Sequence, residues 1–239
     1  MNILITNDDS ITAAGIEALA RAAASLGDVW VVAPAEQCSA MSQKLTLREL
    51  LTVEQVRHFP VPVKGAWRIG GTPVDCVKVA LEYILDEKPD LVLSGVNDGY
   101  NVGFDIAYSG TLGAAFEAAR NGIPAIAVSV AGYRHLDVAE QELLPVLRQI
   151  LEREQKPWTV WNVNFPAMNT VGRKGIRWDC PVAPVSLFRE KYIPVSDRDE
   201  VVSLRNQGIP TPNSRIPEES DADAVRKGYI AVSRVKCTL

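Results

Sequence analysis

The sequence predicts an α/β fold: a Rossmann-like, mostly parallel sheet with helices on both faces, followed by a β-rich C-terminal arm. Three observations carry this prediction. Short apolar runs alternate with longer stretches of helical spacing, the runs are apolar along their whole length, and polar turns follow several of them. Strands without apolar/polar alternation are buried on both faces, which is what a parallel sheet covered by helices requires.

Residues 2–6 (NILIT) form the first strand, which stops at Asn7-Asp8-Asp9-Ser10, and the alanine-rich stretch from Ala13 to Ala24 has helical composition and spacing. Val29 to Ala33 reads as a strand, Val74 to Leu85 as a helix, Leu91 to Ser94 as a strand, Leu112 to Arg120 as a helix and Ala125 to Val130 as a strand. A helix from about Val138 to Leu151 and a strand over Val160 to Val163 complete the series. Pro34 to Thr72 carries β-type segments and turn residues without a helix, so a flap or hairpin over the sheet edge is expected at about 35–70. From Pro166 onward proline and glycine are frequent and strand-like pieces short, up to a last strand around Tyr229 to Val235. The expected organisation is an α/β core over 1–165 and a β-rich oligomerisation arm and tail over 166–239, where large apolar residues are too few for a separate core.

Bulk properties remove several function classes. A chain of 239 residues with 47% hydrophobic and 23% charged content buries one substantial core. The net charge is −4 and the 25 Lys and Arg are scattered, which argues against a nucleic-acid duplex as partner and leaves room for a small anion. Cys38, Cys76, Cys180 and Cys237 contain no CxxC pair, so reduced thiols and a cytoplasmic location are expected. No apolar run approaches the ~20 residues that span a bilayer, and Met1 leads directly into a strand, so neither secretion nor a membrane is expected.

Two polar clusters carry the chemistry. Asp8 and Asp9 lie where the first strand ends, and adjacent carboxylates repel unless a cation is held between them. Capping of the following helix by Asp9 or Ser10 is the competing reading, although a cap needs one such residue and two aspartates are present. The second cluster runs from Ser94 to Thr111, with glycines at 95, 99, 103 and 110 and neutral polar groups at Asn97, Asn101, Ser109 and Thr111. Ser109-Gly110-Thr111 immediately precedes a helix, where unpaired N–H groups and the helix dipole favour an anion such as phosphate. A polar loop with Ser109 or Thr111 as a simple N-cap is the alternative. Position favours a site, because in a doubly wound sheet this loop and the Asp8-Asp9 turn meet at one edge. His58 and His135 have no paired ligand, and HExxH, GxSxG, Walker and GxGxxG signatures are absent.

Read together, NILITNDDS at the N-terminus, VVAP at 31–34, GTPVDCVKVAL at 71–81, SGVNDGYNVGFDIAYSGTLGAAFEA at 94–118 and NVNFP at 162–166 resemble the SurE (survival protein E) family of 5′/3′-nucleotidases. The resemblance covers nearly the whole chain. It implies a divalent-metal-dependent phosphomonoesterase acting on nucleoside 5′- and 3′-monophosphates, with short polyphosphate as a further substrate. It also implies one Mg²⁺ or Mn²⁺ per subunit, held by Asp8, Asp9, Ser39 and Asn97. Ser109, Gly110 and Thr111 would cradle the substrate phosphate, with Asp8 and Asn101 as the catalytic pair, in a homodimer or homotetramer that exchanges its arm. The chain departs from the family pattern at Ala40, which follows Ser39 where a glycine is usual and leaves Ser42 as a nearby substitute, and at Arg234, where proline is expected. A nucleotide-binding regulatory protein, or a scaffold without turnover, is the alternative. Paired aspartates facing a phosphate argue against binding alone.

Overall fold

A computed structural model of the chain describes residues 1–167, 174–198 and 201–237. Its core is a parallel sheet built from β1 (Asn2–Thr6), β2 (Asp28–Pro34), β4 (Gly65–Ile69), β5 (Leu91–Asp98), β6 (Ala125–Val130) and β7 (Thr159–Phe165). The short β3 (Val53–Gln55) pairs antiparallel with β4 at one edge. At the other edge β11 (Ile230–Lys236) pairs antiparallel with β7, and β8 (Ile176–Arg177) pairs with β11. The strand order is β3-β4-β2-β1-β5-β6-β7-β11-β8.

The layers follow from side-chain alternation. Ile3 and Ile5 point to one face of β1 and pack with Ile16 and Leu19 of α1 (Ala14–Ala23) and Leu143 and Leu147 of α4 (Leu136–Leu151). Leu4 points to the opposite face, towards Cys76 and Val77 of α2 (Pro73–Val79) and Leu112 and Phe116 of α3 (Gly110–Arg120). Each fully buried leucine or isoleucine contributes about 1.5–3 kcal/mol relative to exposure. The two-sided burial explains why these strands are apolar throughout. A third cluster, including Val102, Ala183, Leu187 and Val225, lies beneath the short helix α5 (Asp221–Arg226).

Three elements differ from expectation. Residues 65–69 form a core strand parallel to β2 rather than part of a flap, because Ala66 and Ile69 are buried in the two halves of the core. The helix expected over 74–85 is α-helical only to Val79 and continues as a π-turn over Ala80–Ile84. β5 runs past Ser94 to Asp98, its pairing with β6 shifting register between Ser94 and Asn97, so Asn97 and Asp98 sit at a strand end and not in a loop.

Within 166–239, what stands apart from the main sheet is an antiparallel hairpin of β9 (Phe188–Arg198) and β10 (Val201–Pro210). The chain then returns through α5 to β11 on the core sheet, where Ile230, Ala231 and Val232 are buried. Residues 168–173, 199–200 and 238–239 of the expected arm lie outside the described residues.

The sheet places the site. β1 has β2 on one side and β5 on the other, so the connections leaving its C-terminal end and that of β5 run in opposite directions and open a crevice between them.

Candidate active site

Asn7, Asp8 and Asp9 form the turn after β1. Asn7 Nδ2 closes it on the Ser10 carbonyl at 2.7 Å, with Ser10 at φ 95°. α1 starts later, capped by the backbone of Ala13 with no side-chain cap, so neither aspartate nor Ser10 serves as an N-cap. The capping alternative fails on that observation, and both carboxylates are left for other work.

Asp8 is buried and faces α3. Thr111 Oγ1 donates to its Oδ1 at 2.6 Å, and a Cβ on Gly110 would lie 2.9 Å from the Asp8 Cβ and 3.0 Å from Oδ2. The glycine therefore allows the carboxylate to sit against the first turn of the helix. Burial pushes the Asp8 carboxyl from 3.8 up to about 6, against the lowering effect of the Thr111 hydroxyl and with a further rise from the charge of Asp9.

Asp9 is held from the far side of the crevice. Its Oδ2 accepts from the Asp98 amide at 2.9 Å and the Tyr133 hydroxyl at 2.8 Å, while Gln37 Nε2 approaches Oδ1 at 3.3 Å. Burial, followed by the charge of Asp9, raises the Tyr133 phenol well above its ordinary range, so it acts as a neutral donor. Asn97, half-buried at the end of β5, donates its amide to the Gly99 carbonyl at 2.8 Å, a bond that uses the amide nitrogen and not the oxygen. The Cys38 amide donates to the Asp8 carbonyl at 2.7 Å and so brings the exposed Ser39 beside the aspartate turn. Ser42 is occupied elsewhere: its N–H binds the Tyr108 carbonyl at 3.0 Å and its hydroxyl the Ala107 carbonyl at 2.8 Å.

On the other side of Asp8, the Ser109 side chain caps α3 by accepting from the Leu112 amide at 3.1 Å, and Gly110 and Thr111 form the first turn. The N-cap reading of Ser109 is therefore correct as local structure, and it is the cap that sets the helix N-terminus at the crevice. Asn101 Nδ2 donates to Ser129 Oγ at 2.9 Å and lies 3.3 Å from Thr111 Oγ1, so Asn101, Thr111 and Asp8 form one buried chain. The Asn101 backbone is fixed from β7: its N–H donates to Asn164 Oδ1 at 2.8 Å, and its carbonyl accepts from Asn162 and Asn164 at 2.7 and 3.1 Å.

The structure thus gathers Asp8, Asp9, Asn97, Asn101, Ser109, Gly110 and Thr111 along one crevice, with Ser39 on the adjoining loop. Sequence reasoning missed the groups that hold them. Asn162 and Asn164 share a face of an otherwise apolar strand near its C-terminal end, a detectable pattern. Tyr133 is a single aromatic in a loop and gave no signal. A surface cavity of about 250 Å³ lined by Asn2, Trp30, Leu85 and Glu87 opens at the opposite end of β1 and carries none of these groups. Convergent polar chemistry, not concavity, locates the site.

Among the described residues no group of three or more His, Cys, Asp or Glu is arranged to hold a metal ion. A cation here would rest on two carboxylates supplemented by neutral oxygens from Asn97 and Ser39. That set is all oxygen, which suits Mg²⁺ or Mn²⁺ rather than zinc. Two carboxylates beside a helix N-terminus would also repel a phosphate unless a cation lay between them. The residues therefore fit the expected ion.

Comparison with known proteins gives the chain a family and a matching fold. A family model described as Survival protein SurE matches residues 3–185. The chain is 36% identical over 240 residues to the 5′-nucleotidase SurE of Pelotomaculum thermopropionicum, covering 98% of this chain and 89% of the relative. It is 37% identical over 243 residues to the 5′-nucleotidase SurE of a Synechococcus species, covering 98% and 90%. The crystal structure of the SurE protein from Aquifex aeolicus superposes with a TM-score of 0.84 at 31% identity, over 100% of this chain and 94% of that one.

Proposed function

The chain belongs to the SurE family, and from that premise we propose that it is a nucleotidase, a phosphoric monoester hydrolase releasing phosphate from nucleoside 5′-monophosphates with the help of one bound Mg²⁺ or Mn²⁺. The supporting observation is the 2.6 Å bond between Asp8 and Thr111, which sets a catalytic carboxylate against the N-terminus of α3, where a phosphate group is attracted. The 3′-monophosphates and short polyphosphate are additional candidate substrates.

Asp8, Asp9, Asn97 and Ser39 would hold the ion. Such an ion, when bound, polarises a phosphoryl oxygen and lowers the pKa of a coordinated water. The chain supplies the remaining functions. The first-turn N–H groups of α3 bind the phosphoryl oxygens, and Ser109 holds that turn in place through its cap. Asn101, anchored by Ser129, Asn162 and Asn164, sits beside Thr111 and orients the phosphate. Asp8 accepts the proton of the attacking water.

The proposed assembly is a homodimer or homotetramer formed through the β9/β10 hairpin. Phe188, Tyr192, Val195, Val201, Val202 and Leu204 are all at least half exposed there, more apolar surface than an isolated hairpin sustains. A cytoplasmic location is supported by four free cysteines and, among the described residues, by the absence of a helix long and apolar enough to cross a membrane.

The deciding experiment measures phosphate release from a panel of nucleoside 5′- and 3′-monophosphates with Mn²⁺, Mg²⁺ or EDTA, comparing the unsubstituted protein with Asp8→Asn. Metal-dependent release that disappears in the variant is expected. No release under any metal would leave a nucleotide-binding or scaffold protein, and near-normal turnover by a metal-loaded Asp8→Asn would remove Asp8 from the mechanism.

A further inference from the structure

Asp9 is served by three segments that are distant in sequence. Its Oδ2 receives two donors, the Asp98 amide at 2.9 Å and the Tyr133 hydroxyl at 2.8 Å, whereas Oδ1 faces only the long 3.3 Å contact from Gln37. Tyr133 is itself fixed at both ends. Its backbone N–H donates to Asp98 Oδ1 at 2.8 Å, and its hydroxyl lies 3.2 Å from the Val96 carbonyl. α1 leaves room for this ring: a Cβ at Gly15 would stand 2.7 Å from the Tyr133 hydroxyl oxygen and 2.0 Å from the Val96 carbonyl oxygen, so a side chain there would displace both. The absence of a side chain at 15, the backbone anchor at 133 and the amide of Asp98 all act to place one phenolic O–H on one carboxylate oxygen.

We propose that Tyr133 is a positioning residue that, with the Asp98 amide, fixes the rotamer of Asp9 so that Oδ1 is the oxygen turned towards a divalent cation. The inference rests on the metal-dependent reading of the site. An adjacent pair of aspartates has many mutual orientations, and only some direct one oxygen from each at a shared ion. Tying Oδ2 to two donors removes the competing orientations before the ion arrives, so less of the binding energy is lost in ordering the ligand. A neutral donor performs this without cancelling the negative charge that attracts the cation. A lysine or arginine at the same place would hold the carboxylate equally well but compete with the ion.

The test is Tyr133→Phe, which keeps the ring and removes the donor. Mn²⁺ binding is measured by titration calorimetry on the full chain without substrate, beside the thermal midpoint of the metal-free protein. Mn²⁺ affinity is expected to fall by about 10–100-fold, with the metal-free Tm within about 2 °C of the unsubstituted protein, and raised Mn²⁺ should restore most of the turnover. An affinity unchanged within about twofold would overturn the proposal. So would a loss of affinity accompanied by a fall in metal-free Tm of more than about 4 °C, which would assign the hydroxyl to general packing. Absence of Mn²⁺ binding by the unsubstituted chain would overturn the metal reading itself and this inference with it, a result distinct from normal binding that ignores the Tyr133 hydroxyl.

Discussion

Thr111 Oγ1 donates to Asp8 Oδ1 across 2.6 Å, joining residues 103 positions apart and binding the first turn of α3 to the turn after β1. Both groups are buried, so neither has water as a replacement partner. Thr111→Val keeps the shape and removes the donor. A lost hydrogen bond to a buried charged group costs about 1–3 kcal/mol, and the Asp8 carboxyl should titrate higher still, because the Thr111 hydroxyl is the largest of the effects that oppose burial. Urea denaturation at pH 8 is expected to show that loss, and phosphate release should fall with it. Unchanged stability would mean that the bond is not formed in solution.

The same carboxylate makes the metal-free protein's stability depend on pH in an uncommon direction. Asp8 is pushed up to about 6 in the folded chain from 3.8, so the folded state binds its proton more tightly than the unfolded one. The resulting penalty is absent below pH 3.8, grows between 3.8 and 6, and is complete above 6, on the order of 3 kcal/mol. Asp8→Asn should therefore raise the metal-free Tm at pH 7, and the difference from the unsubstituted protein should shrink as the pH is lowered towards 4. A difference that is constant over that range would show that Asp8 is not desolvated.

Two glycines in α3 make close approaches that a side chain would block. A Cβ at Gly110 would press on Asp8, and one at Gly113 would stand 2.1 Å from the Ser42 carbonyl oxygen. Gly→Ala in a helix interior ordinarily stabilises by roughly 0.5–1 kcal/mol. Here both substitutions should destabilise, by about 1–3 kcal/mol from overpacking. Gly110→Ala should in addition abolish most phosphate release by displacing the carboxylate. Stabilisation by either substitution in thermal unfolding would show that the neighbouring backbone yields freely.

Most of the fold was legible because it rests on local signals. NILIT and AIAVSV are apolar throughout, and α1, α3 and α4 carry helical spacing that packing reinforced. Gly65–Ile69 does not read as a core strand because Arg68 interrupts a run of only five residues, whose burial is fixed by pairing with β2. At the site, Asp8, Asp9 and Ser109–Thr111 declared themselves by composition and by position after strands. Their supports did not. Tyr133 meets Asp9 only through the three-dimensional path of the loop after β6, Asp98 meets it from the end of β5, and Asp221 reaches Gly103 from 118 positions away. Such pairings have no spacing rule in the sequence.

Ser39 and Ser42 are separated by the structure although composition makes them equivalent. The Ser42 hydroxyl is engaged with the Ala107 carbonyl, and its N–H with that of Tyr108, so it clamps the loop ahead of α3. Ser39 is exposed beside the aspartate turn. Ser39→Ala is expected to weaken Mn²⁺ binding several-fold with little change in Tm, whereas Ser42→Ala should lower stability by about 0.5–1.5 kcal/mol and leave Mn²⁺ affinity near normal. Calorimetric titration of both variants would expose a reversal of these roles.

Asp221 supports the phosphate side of the crevice from the C-terminal part of the chain. Its buried carboxylate accepts from the amides of Gly103 at 3.0 Å, Ala183 at 2.9 Å and Ala222 at 2.7 Å, and so ties α5 to the segment that follows Asn101. That segment is further held by the Phe104 amide on the Val185 carbonyl at 3.0 Å and by the Leu187 amide on Asp105 Oδ2 at 2.9 Å, just ahead of the β9/β10 hairpin. Asp221→Asn replaces one acceptor oxygen with an NH₂ facing amide donors, leaving at least one buried N–H unpaired at a cost of about 1–3 kcal/mol. Asp8, Asp9 and Asn97 lie outside this network, so Mn²⁺ affinity should hold. Asn101 and the turn before Ser109 should lose their fixed position, so KM for a nucleoside monophosphate should rise more than kcat falls. Equal weakening of Mn²⁺ and substrate binding would show instead that the two sides of the crevice loosen together, and that the loop does not serve the phosphate alone.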